Sequence, residues 1–263
     1  TIAGDMARQG FNVEIFEMEP EPGGVLMFGI PEYRLPKEIV RREIKKIEEL
    51  GVVFHCNTTV GKGDLTIEKL FEMGYDAIFM GTGTGVPKKL HIPGSNLKGV
   101  RQAIWFLRRV SLYNEGNLSR EEVVVHEGNR VFVIGCGNTA MDACRTAVRL
   151  GAKKVYNIYR RTKNEMPADM VEITEAEEEG VIFKNLTNPI EVIADVEGRV
   201  KQVVLQVMEL GEADASGRRR PVPVEGKTET LDIDTMILAI GQAVDSSKFE
   251  GLDKTRKNGI AYD

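Results

Sequence analysis

The sequence is poor in cysteine, and its three cysteines are spaced so that they do not suggest a redox dithiol. Cys56, Cys136 and Cys144 are odd in number, and no two of them form a C-x-x-C pair. This spacing argues against a thioredoxin-reductase type of dithiol and against an iron-sulfur cluster ligated within these residues. Unpaired thiols suit a reducing compartment, so we expect a cytoplasmic protein.

Histidine is equally scarce, and no catalytic side chains can be recognised. His55, His91 and His126 lie far apart without the spacing of metal ligands, and no Ser/His/Asp arrangement is visible. The sequence therefore suggests no acid-base catalyst. Such a sequence suits hydride transfer between two bound cofactors, which requires positioning of the reactants rather than a protein nucleophile.

Long apolar runs and an excess of positive charge are also missing. No apolar stretch approaches the ~20 residues of a membrane span, and no signal peptide is recognisable, so we expect no membrane partner. The formal net charge of −5 argues against a nucleic-acid partner. The one basic run, residues 218–220, lies between a glycine and a proline and predicts an exposed turn without a functional role. The 263 residues, 42% of them hydrophobic, are enough for two domains.

The chain contains an internal repeat. Residues 35–54 run from Leu-Pro through a helical stretch into Gly-Val-Val-Phe, and residues 166–183 repeat this plan from Met-Pro to Gly-Val-Ile-Phe. In each copy a helix ending at glycine and a strand come before this stretch, and residues 76–83 and 234–241 match after it. Because helices and strands alternate within so long a unit, the repeat predicts two copies of one α/β unit.

The second copy contains the pattern of a dinucleotide-binding turn. An apolar run at residues 130–134 enters Gly-Cys-Gly-Asn-Thr-Ala, and a helical stretch follows. In such a turn the first glycine permits the tight bend, the second lets a pyrophosphate approach the backbone, and the small third residue allows close helix-strand packing. The predicted cofactor-binding residues here are Gly135, Gly137, Asn138, Thr139 and Ala140. The alternative interpretation is a tight turn that binds nothing.

Two arginines follow the next predicted strand. NAD-binding domains place a carboxylate after this strand, whereas this sequence has Arg160 and Arg161. Two guanidinium groups suit a 2′-phosphate, because their planar forks bind it by charge-assisted hydrogen bonds. The pattern therefore favours NADP(H), and the alternative is a solvated basic pair facing Glu165 and Asp169.

The first copy begins within a helix. Residues 2–7 have helical spacing and Gly10 ends the helix, whereas the strand and glycine loop that precede the helix in the second copy are not in the sequence. We therefore expect a fragment. The following strand ends at Glu17, whose carboxylate would accept hydrogen bonds from ribose hydroxyls, or would simply be a solvated strand end.

Four motifs in one order carry a family resemblance. They are EPGGVLMFGIPEYRLPK (21–37), VIGCGNTAMD (133–142), YRRTKNEMPA (159–168) and LAIGQ (238–242). The sequence resembles the small (β) subunit of NADPH-dependent glutamate synthase, in a family that includes a domain of dihydropyrimidine dehydrogenase and the large subunit of NADH-dependent ferredoxin:NADP oxidoreductase. The resemblance covers essentially the whole chain.

The resemblance implies an α/β fold of two Rossmann-like domains, in which an NADP(H) domain is inserted into a split and here incomplete FAD domain. The implied segments are 1–98 for the first part of the FAD domain, 99–126 for a helical linker, 127–245 for the NADP(H) domain and 246–263 for the start of the return to the FAD domain. Because the first glycine loop is missing, we expect this chain to hold FAD weakly or not at all, although the intact protein binds it.

The resemblance also assigns further residues to the two cofactors. For FAD and its nucleotide they are Glu17, Gly23, Gly24, Arg34, Val60, Gly81, Thr82 and Gly83. For NADP(H) they are the glycine-turn residues with Arg160 and Arg161, closed by Gly241 and Gln242. Gly81 stands where the family usually has alanine.

The implied activity is hydride transfer from NADPH to FAD, with electrons passing to iron-sulfur clusters in another segment or subunit. The implied partner is a larger synthase or ferredoxin-linked subunit. Two alternatives are a bifurcating NADH-dependent ferredoxin:NADP oxidoreductase and a nucleotide-binding assembly module without redox activity.

Overall fold

The structure, a computed structural model, describes residues 1–61, 63–213, 219–244, 253–255, 259 and 261. The chain divides into two compact units, a first unit of residues 1–87 with 242–263 and a second unit of residues 88–241. This division differs from the predicted segments, which placed the first boundary after residue 98 and the last after residue 245.

Both units contain helices and strands, and these alternate over residues 100–185 of the second unit. The first unit contains α1 (Ile2–Arg8), β1 (Glu14–Phe16), α2 (Val25–Phe28), α3 (Lys37–Glu48), β2 (Val53–His55), α4 (Ile67–Glu72), β3 (Val86–Pro87) and β12 (Gln242–Ala243). The second unit contains β4 (Val100–Gln102), α5 (Ala103–Asn114), β5 (Arg130–Ile134), α6 (Asn138–Arg149), β6 (Lys154–Tyr159), α7 (Met170–Glu178), β7 (Ile182–Asn185), β8 (Thr187–Ala194), β9 (Val200–Ala213), β10 (Arg219–Asp232) and β11 (Thr235–Leu238). Among the described residues, no helix has the length and apolar character needed to span a membrane.

A five-stranded parallel sheet, in the order β4-β11-β5-β6-β7, forms the centre of the second unit. Its strands are apolar on both faces, as expected for a parallel sheet that is covered on both sides. Val131 and Val133 belong to a buried cluster with residues of α5, α6 and α7. Phe132 and Ile134 point to the other face, where they belong to a cluster with residues of β8 and β9.

The second face is covered by an antiparallel sheet of order β10-β9-β8, which the sequence analysis did not predict. Strands β9 and β10 are each 14 residues long. The predicted exposed turn at residues 218–220 is wrong for Arg219 and Arg220, which begin β10, and Arg218 lies outside the described residues.

Residues 99–126 are more than a linker between domains. Their strand β4 pairs with β11 at the edge of the five-stranded sheet, in the register Val100 to Met236. Their helix α5 contributes Phe106 and Leu107, which are almost fully buried, to the cluster under the sheet. The predicted packing helix exists, but it belongs to the second unit.

The first unit contains a two-stranded parallel sheet of β1 and β2, in the register Glu14 to Val53. Residues 76–80, which match residues 234–238 of the second copy, do not form a strand, and the Phe79 side chain is 71% exposed. A strand forms only where a neighbour supplies ladder hydrogen bonds. Among the described residues, β1 and β2 pair only with each other, so neither provides that neighbour.

Candidate functional site

The glycine turn lies at the carboxyl edge of the parallel sheet, at the point where the strand order changes direction. From β5 the chain crosses through α6 to β6 on one side, whereas β11 lies on the other side of β5. Ligands of open parallel α/β sheets bind at such a switch point. The predicted strand-turn-helix of residues 130–149 is confirmed, since β5 ends at Ile134 and α6 begins at Asn138.

The two glycines of the turn differ in backbone conformation and in the space around their α-carbons. Gly135 has φ +125°, and a Cβ there would lie 2.3 Å from the carbonyl oxygen of Ala239. Glycine is therefore required at 135 by the backbone and by the end of β11. Gly137 has an ordinary φ of −88°, and a Cβ there would meet no atom within 4 Å. The space above Gly137 is open toward solvent.

The start of α6 offers hydrogen-bond donors to that open space. Gly137 caps the helix without a side-chain acceptor, and its carbonyl accepts from Ala140 and Met141. Within the described residues, the backbone N–H groups of Gly137, Asn138 and Thr139 donate to no acceptor. Ala140 is fully buried against the sheet. Free N–H groups and the positive end of the helix dipole together form a site for an anion.

Asn157, for which the sequence gives no signal, supports the turn through a side-chain hydrogen bond. Its side chain is fully buried on β6, and its amide nitrogen donates to the Gly135 carbonyl at 2.7 Å and to the Cys144 sulfur at 3.8 Å. Burial raises the pKa of the Cys144 thiol, so this cysteine acts as a small packing group. Nothing in the sequence marks the pairing of residues 135 and 157, because it depends on the two strands being neighbours.

The Asn138 side chain faces another part of the protein rather than the open space. Its amide nitrogen donates to the Asp169 carboxylate and its amide oxygen accepts from the Asp169 backbone N–H, both at 2.9 Å. The Cys136 carbonyl accepts from the Ala168 N–H at 3.2 Å. Segment 166–169 is thereby tied to the glycine turn, so only the backbone of Asn138 is left to meet a ligand.

Arg160 and Arg161 lie at the carboxyl end of β6, next to the turn. Arg160 is exposed and makes no ion pair with any described residue. Arg161 donates from Nε to the Arg219 carbonyl at 2.9 Å. Burial raises the pKa of the Tyr159 hydroxyl, with a smaller contribution from Cys136, and Arg161 partly opposes the shift through a side-chain hydrogen bond and its charge. Arg161 therefore sits between the glycine turn and strand β10.

The two nearby acidic residues, Glu165 and Asp169, have other hydrogen-bond partners. Glu165 accepts from the backbone N–H and the hydroxyl of Thr162, in a capping box that closes residues 162–165. Asp169 is held by Asn138. The described contacts therefore do not pair Arg160 or Arg161 with Glu165 or Asp169, as the alternative interpretation would require.

A cleft of about 650 Å³ opens on the other side of the turn, at the carboxyl ends of β4 and β11. Its wall includes Leu90, Ile92, Gln102 and Leu238. Gly241, with φ +99°, follows β11 and accepts a hydrogen bond from the Lys88 N–H at 3.0 Å. The second unit thus combines the glycine turn, the arginine pair and this cleft along one edge of its sheet.

In the first unit, Glu17 follows β1 at the carboxyl end of the small parallel sheet. One carboxylate oxygen accepts from the Glu19 N–H at 2.9 Å, and the Glu17 carbonyl accepts from the Thr58 N–H at 2.8 Å. Val60 lies two residues further along, in the turn after β2. The structure therefore brings Glu17 close to the segment that carries Val60.

The segment from Glu21 to Lys37 is held by helix α3. Arg41 donates to both oxygens of the Glu21 carboxylate, and the buried Lys37 ammonium donates to the carbonyls of Leu26, Ile30 and Leu35. Gly23 packs against α3, since a Cβ there would lie 3.1 Å from Val40 Cγ1. By contrast, Gly24 has φ +53° and open space around its α-carbon.

The remaining predicted residues lie in other loops of the first unit and at the start of β12. The Arg34 N–H donates to the Pro31 carbonyl at 3.1 Å in the loop before α3. Gly81, Thr82 and Gly83 are exposed and lie outside any strand. Gln242 begins β12, and its side-chain oxygen accepts from the Thr84 hydroxyl at 3.3 Å.

A glycine turn at the switch point of a parallel sheet, with a second α/β unit that carries a carboxylate after a strand, defines a dinucleotide-binding α/β protein of the two-domain type. The chain belongs to the pyridine nucleotide-disulphide oxidoreductase family, whose model matches residues 2–263. The predicted fold class is confirmed.

Curated relatives cover nearly the whole chain. It is 42% identical over 261 residues to the β subunit of NADP(+)-dependent formate dehydrogenase from Moorella thermoacetica, which covers 98% of this chain and 35% of that protein. It is 38% identical over 238 residues to the small chain of NADPH glutamate synthase from Escherichia coli strain K12, which covers 90% of this chain and 50% of that protein. The predicted resemblance to glutamate synthase small subunits is confirmed, and the chain spans half or less of the length of these two relatives.

A solved structure supports the fold. FprA from Mycobacterium tuberculosis in complex with NADPH matches with a TM-score of 0.78 and 21% identity, over 97% of this chain and 70% of that one. The family name refers to disulphides, yet Cys56, Cys136 and Cys144 are all free in the structure. Membership of the family therefore assigns no dithiol to these three residues.

Proposed function

We propose that this chain is the coenzyme-binding part of an oxidoreductase subunit that passes hydride from NADPH to FAD. The observation that carries the proposal is the second unit's sheet edge, where unpaired N–H groups at the start of α6 lie beside two arginines at the end of β6. Curated relatives that are named for NADP(+) or NADPH and match nearly the whole chain support it.

The residues present suit a phosphorylated dinucleotide. Gly137 leaves room for the pyrophosphate, and the N–H groups of residues 137–139 would donate to it. Arginine follows Tyr159 where NAD-binding domains place a carboxylate, and the Glu165 carboxylate accepts hydrogen bonds from Thr162. Arg160 and Arg161 would bind that phosphate by charge-assisted hydrogen bonds.

The carboxyl edge of the sheet also offers space for a coenzyme that extends across several strands. From β6 to β4 there are three strand spacings of about 4.8 Å each, or roughly 14 Å in all. With the 2′-phosphate at the end of β6 and the pyrophosphate at the end of β5, the nicotinamide half would extend toward β11 and β4. The cleft beside Gln102 and Leu238 would receive it.

The first unit would hold FAD. Glu17 would accept hydrogen bonds from ribose hydroxyls, because one of its carboxylate oxygens is oriented by the Glu19 N–H and the other accepts from no described residue. The open backbone at Gly24, beside Gly23 and Arg34, would line the flavin. Val60, Gly81, Thr82 and Gly83 would complete the nucleotide site. When both cofactors are bound, nicotinamide supplies the hydride and flavin accepts it.

Electrons would then pass to iron-sulfur clusters in a partner segment or subunit. The relatives described above are named as subunits or chains of larger enzymes, which supports a multi-subunit assembly. Their names differ in substrate, so we assign no terminal acceptor. Three free thiols, two of them buried, support a reducing cytoplasm as the location.

The coenzyme assignment predicts that the Arg160→Ala, Arg161→Ala double variant loses NADPH affinity and not NADH affinity. Each charge-assisted hydrogen bond is worth roughly 1.5–3 kcal/mol, so NADPH should bind at least about tenfold more weakly. Dissociation constants for both coenzymes, measured by titration calorimetry, check this.

The matched control is the Lys153→Ala, Lys154→Ala double variant, which removes two exposed cations at the amino end of β6. It should leave both dissociation constants unchanged. An equal loss for both coenzymes in the arginine variant, or a similar NADPH loss in the lysine control, would show that the arginines do not read the 2′-phosphate.

A further inference from the structure

Strand β10 reaches the predicted phosphate site from a part of the chain that is distant in sequence. The Nε group of Arg161 donates to the backbone carbonyl of Arg219 at 2.9 Å, across 58 positions of the chain. The Arg161 carbonyl accepts from the Leu186 N–H, and the Leu186 carbonyl accepts from the Met208 N–H at 2.7 Å. Both the side chain and the backbone of Arg161 are thus linked, directly or through Leu186, to the β9–β10 pair.

The Arg219 side chain in turn fixes the position of its own carbonyl. Its Nε donates to the Gly211 carbonyl at 3.0 Å and its Nη2 donates to the Leu210 carbonyl at 2.7 Å, both on β9. These bonds lie where the ladder between β9 and β10 is irregular, because the register shifts between Arg219 and Pro221. A guanidinium that bridges two carbonyls therefore replaces regular ladder bonds at this end of the strand pair.

A further observation places Arg219 near the segment that follows Arg161. The pKa of the Glu165 carboxyl is lowered, chiefly by the hydrogen bond from Thr162, and the Arg219 charge makes a smaller contribution in the same direction. Arg219 thus lies close to Glu165 as well as to Arg161. The neighbouring Arg220 is exposed and makes no contact of this kind with any described residue.

We propose that Arg219 is a positioning residue for coenzyme selectivity. It braces β10 against β9 so that its carbonyl holds Arg161 Nε, which fixes the orientation in which the Arg161 guanidinium faces a 2′-phosphate. The proposal rests on the function proposed above. It differs from a direct role in phosphate binding, because Arg219 acts through Arg161.

The test is a double-mutant cycle with the protein's own coenzymes as probes. In Arg219→Met the side-chain stem is kept and both donors are lost, so we expect NADPH affinity to fall by about three- to fivefold and NADH affinity to change by less than about twofold. In the Arg161→Ala background, Arg219→Met should cause no further loss of NADPH affinity. Arg220→Met, the matched control, removes the same charge one residue away and should change neither affinity.

Each other outcome overturns the proposal. An equal NADPH loss in Arg219→Met and Arg220→Met would indicate a general effect of charge. An equal loss for NADPH and NADH would indicate a structural role only, and a loss that persists without Arg161 would indicate direct phosphate contact. If Arg219→Met does not fold, Arg219→Lys takes its place, since lysine cannot bridge both carbonyls with the same geometry, and unchanged selectivity overturns the proposal.

Failure of the proposed function gives a different result. If Arg161→Ala and Arg160→Ala leave the ratio of NADPH to NADH affinity unchanged, then the phosphate assignment itself is wrong. If they change it and Arg219→Met does not, only the positioning role of Arg219 is wrong.

Discussion

At the scale of single residues, the sequence predicts the groups that we propose to meet the coenzyme, and it gives no sign of the residues that hold these groups in place. Gly135, Gly137 and the arginine pair could be predicted because their spacing along the chain carries the signal. Asn157, Asp169 and Arg219 could not, because each acts on a residue that is adjacent only in the folded unit. No local sequence pattern marks a carboxamide that packs against a turn or an arginine on a distant strand.

The two glycines of the turn should respond differently to the same substitution. Gly135→Ala places a Cβ 2.3 Å from the Ala239 carbonyl at a positive φ, so it should lower the free energy of unfolding by more than about 2 kcal/mol. Gly137→Ala meets no atom within 4 Å, so it should change stability by less than about 1 kcal/mol while weakening NADPH binding at least about tenfold.

Denaturant unfolding and coenzyme titration on both variants separate the two effects. If Gly137→Ala bound NADPH normally, the open space above this glycine would not be the pyrophosphate site.

Asp234 should contribute stability that depends on pH. Its carboxylate accepts from the Arg130 N–H, Nε and Nη2 at 2.8, 3.0 and 2.9 Å, and these bonds hold its pKa below the ordinary value of 3.8. Because the folded pKa is the lower one, the contribution is complete above the unfolded pKa and disappears as the pH falls through the folded pKa. The side chain is 36% exposed, so solvent screening limits the contribution to about 1 kcal/mol.

Asp234→Asn should therefore be less stable than the wild type in urea at pH 7, and the difference should shrink toward zero in strong acid. Asp232→Asn, at a more exposed neighbour of the same arginine, should have a smaller effect. A difference for Asp234→Asn that stayed constant with pH would exclude the carboxylate as its cause.

At the scale of elements, the alternation of helices and strands and the strand-turn-helix at residues 130–149 followed from sequence periodicity. The edge strand β4 and the antiparallel sheet did not, because strand formation depends on which partner lies alongside. The matching apolar stretches at 76–80 and 235–238 show this directly. The second forms β11 between β4 and β5, whereas the first has no strand beside it among the described residues and does not form one.

Helices α6 and α7 are joined by an ion-pair cluster that offers a matched pair of variants. The Arg145 side chain is 6% exposed and contacts the carboxylates of Glu172, Glu175 and Glu179, whereas Arg149 is 48% exposed and contacts Glu179. Arg145→Met removes a buried guanidinium that contacts three partly buried carboxylates, so it should cost about 3 kcal/mol of stability. Arg149→Met, on the same helix, should cost less than about 1 kcal/mol.

Equilibrium unfolding in urea compares the two variants directly. Equal costs would mean that the burial of Arg145 does not set the energetic importance of this cluster.

At the scale of the whole molecule, the two units differ in how completely they are built. Both large apolar clusters of the described residues lie in the second unit, one on each face of its sheet. The first unit presents a small sheet and a loop braced by Arg41 and Lys37. The second unit therefore carries the better defined of the two proposed sites, the one for a phosphorylated dinucleotide, and a redox role requires the flavin that we assign to the first unit.

Rapid mixing of the native protein that contains this chain with NADPH, without oxygen, tests the central claim most directly. The account predicts that NADPH bleaches the flavin absorbance and does so much faster than NADH at equal concentration. It also predicts that deuterium at the transferred position of nicotinamide C4 slows the bleaching, because hydride transfer is the step observed. A protein without flavin, or a flavin that NADPH does not reduce, would contradict the account.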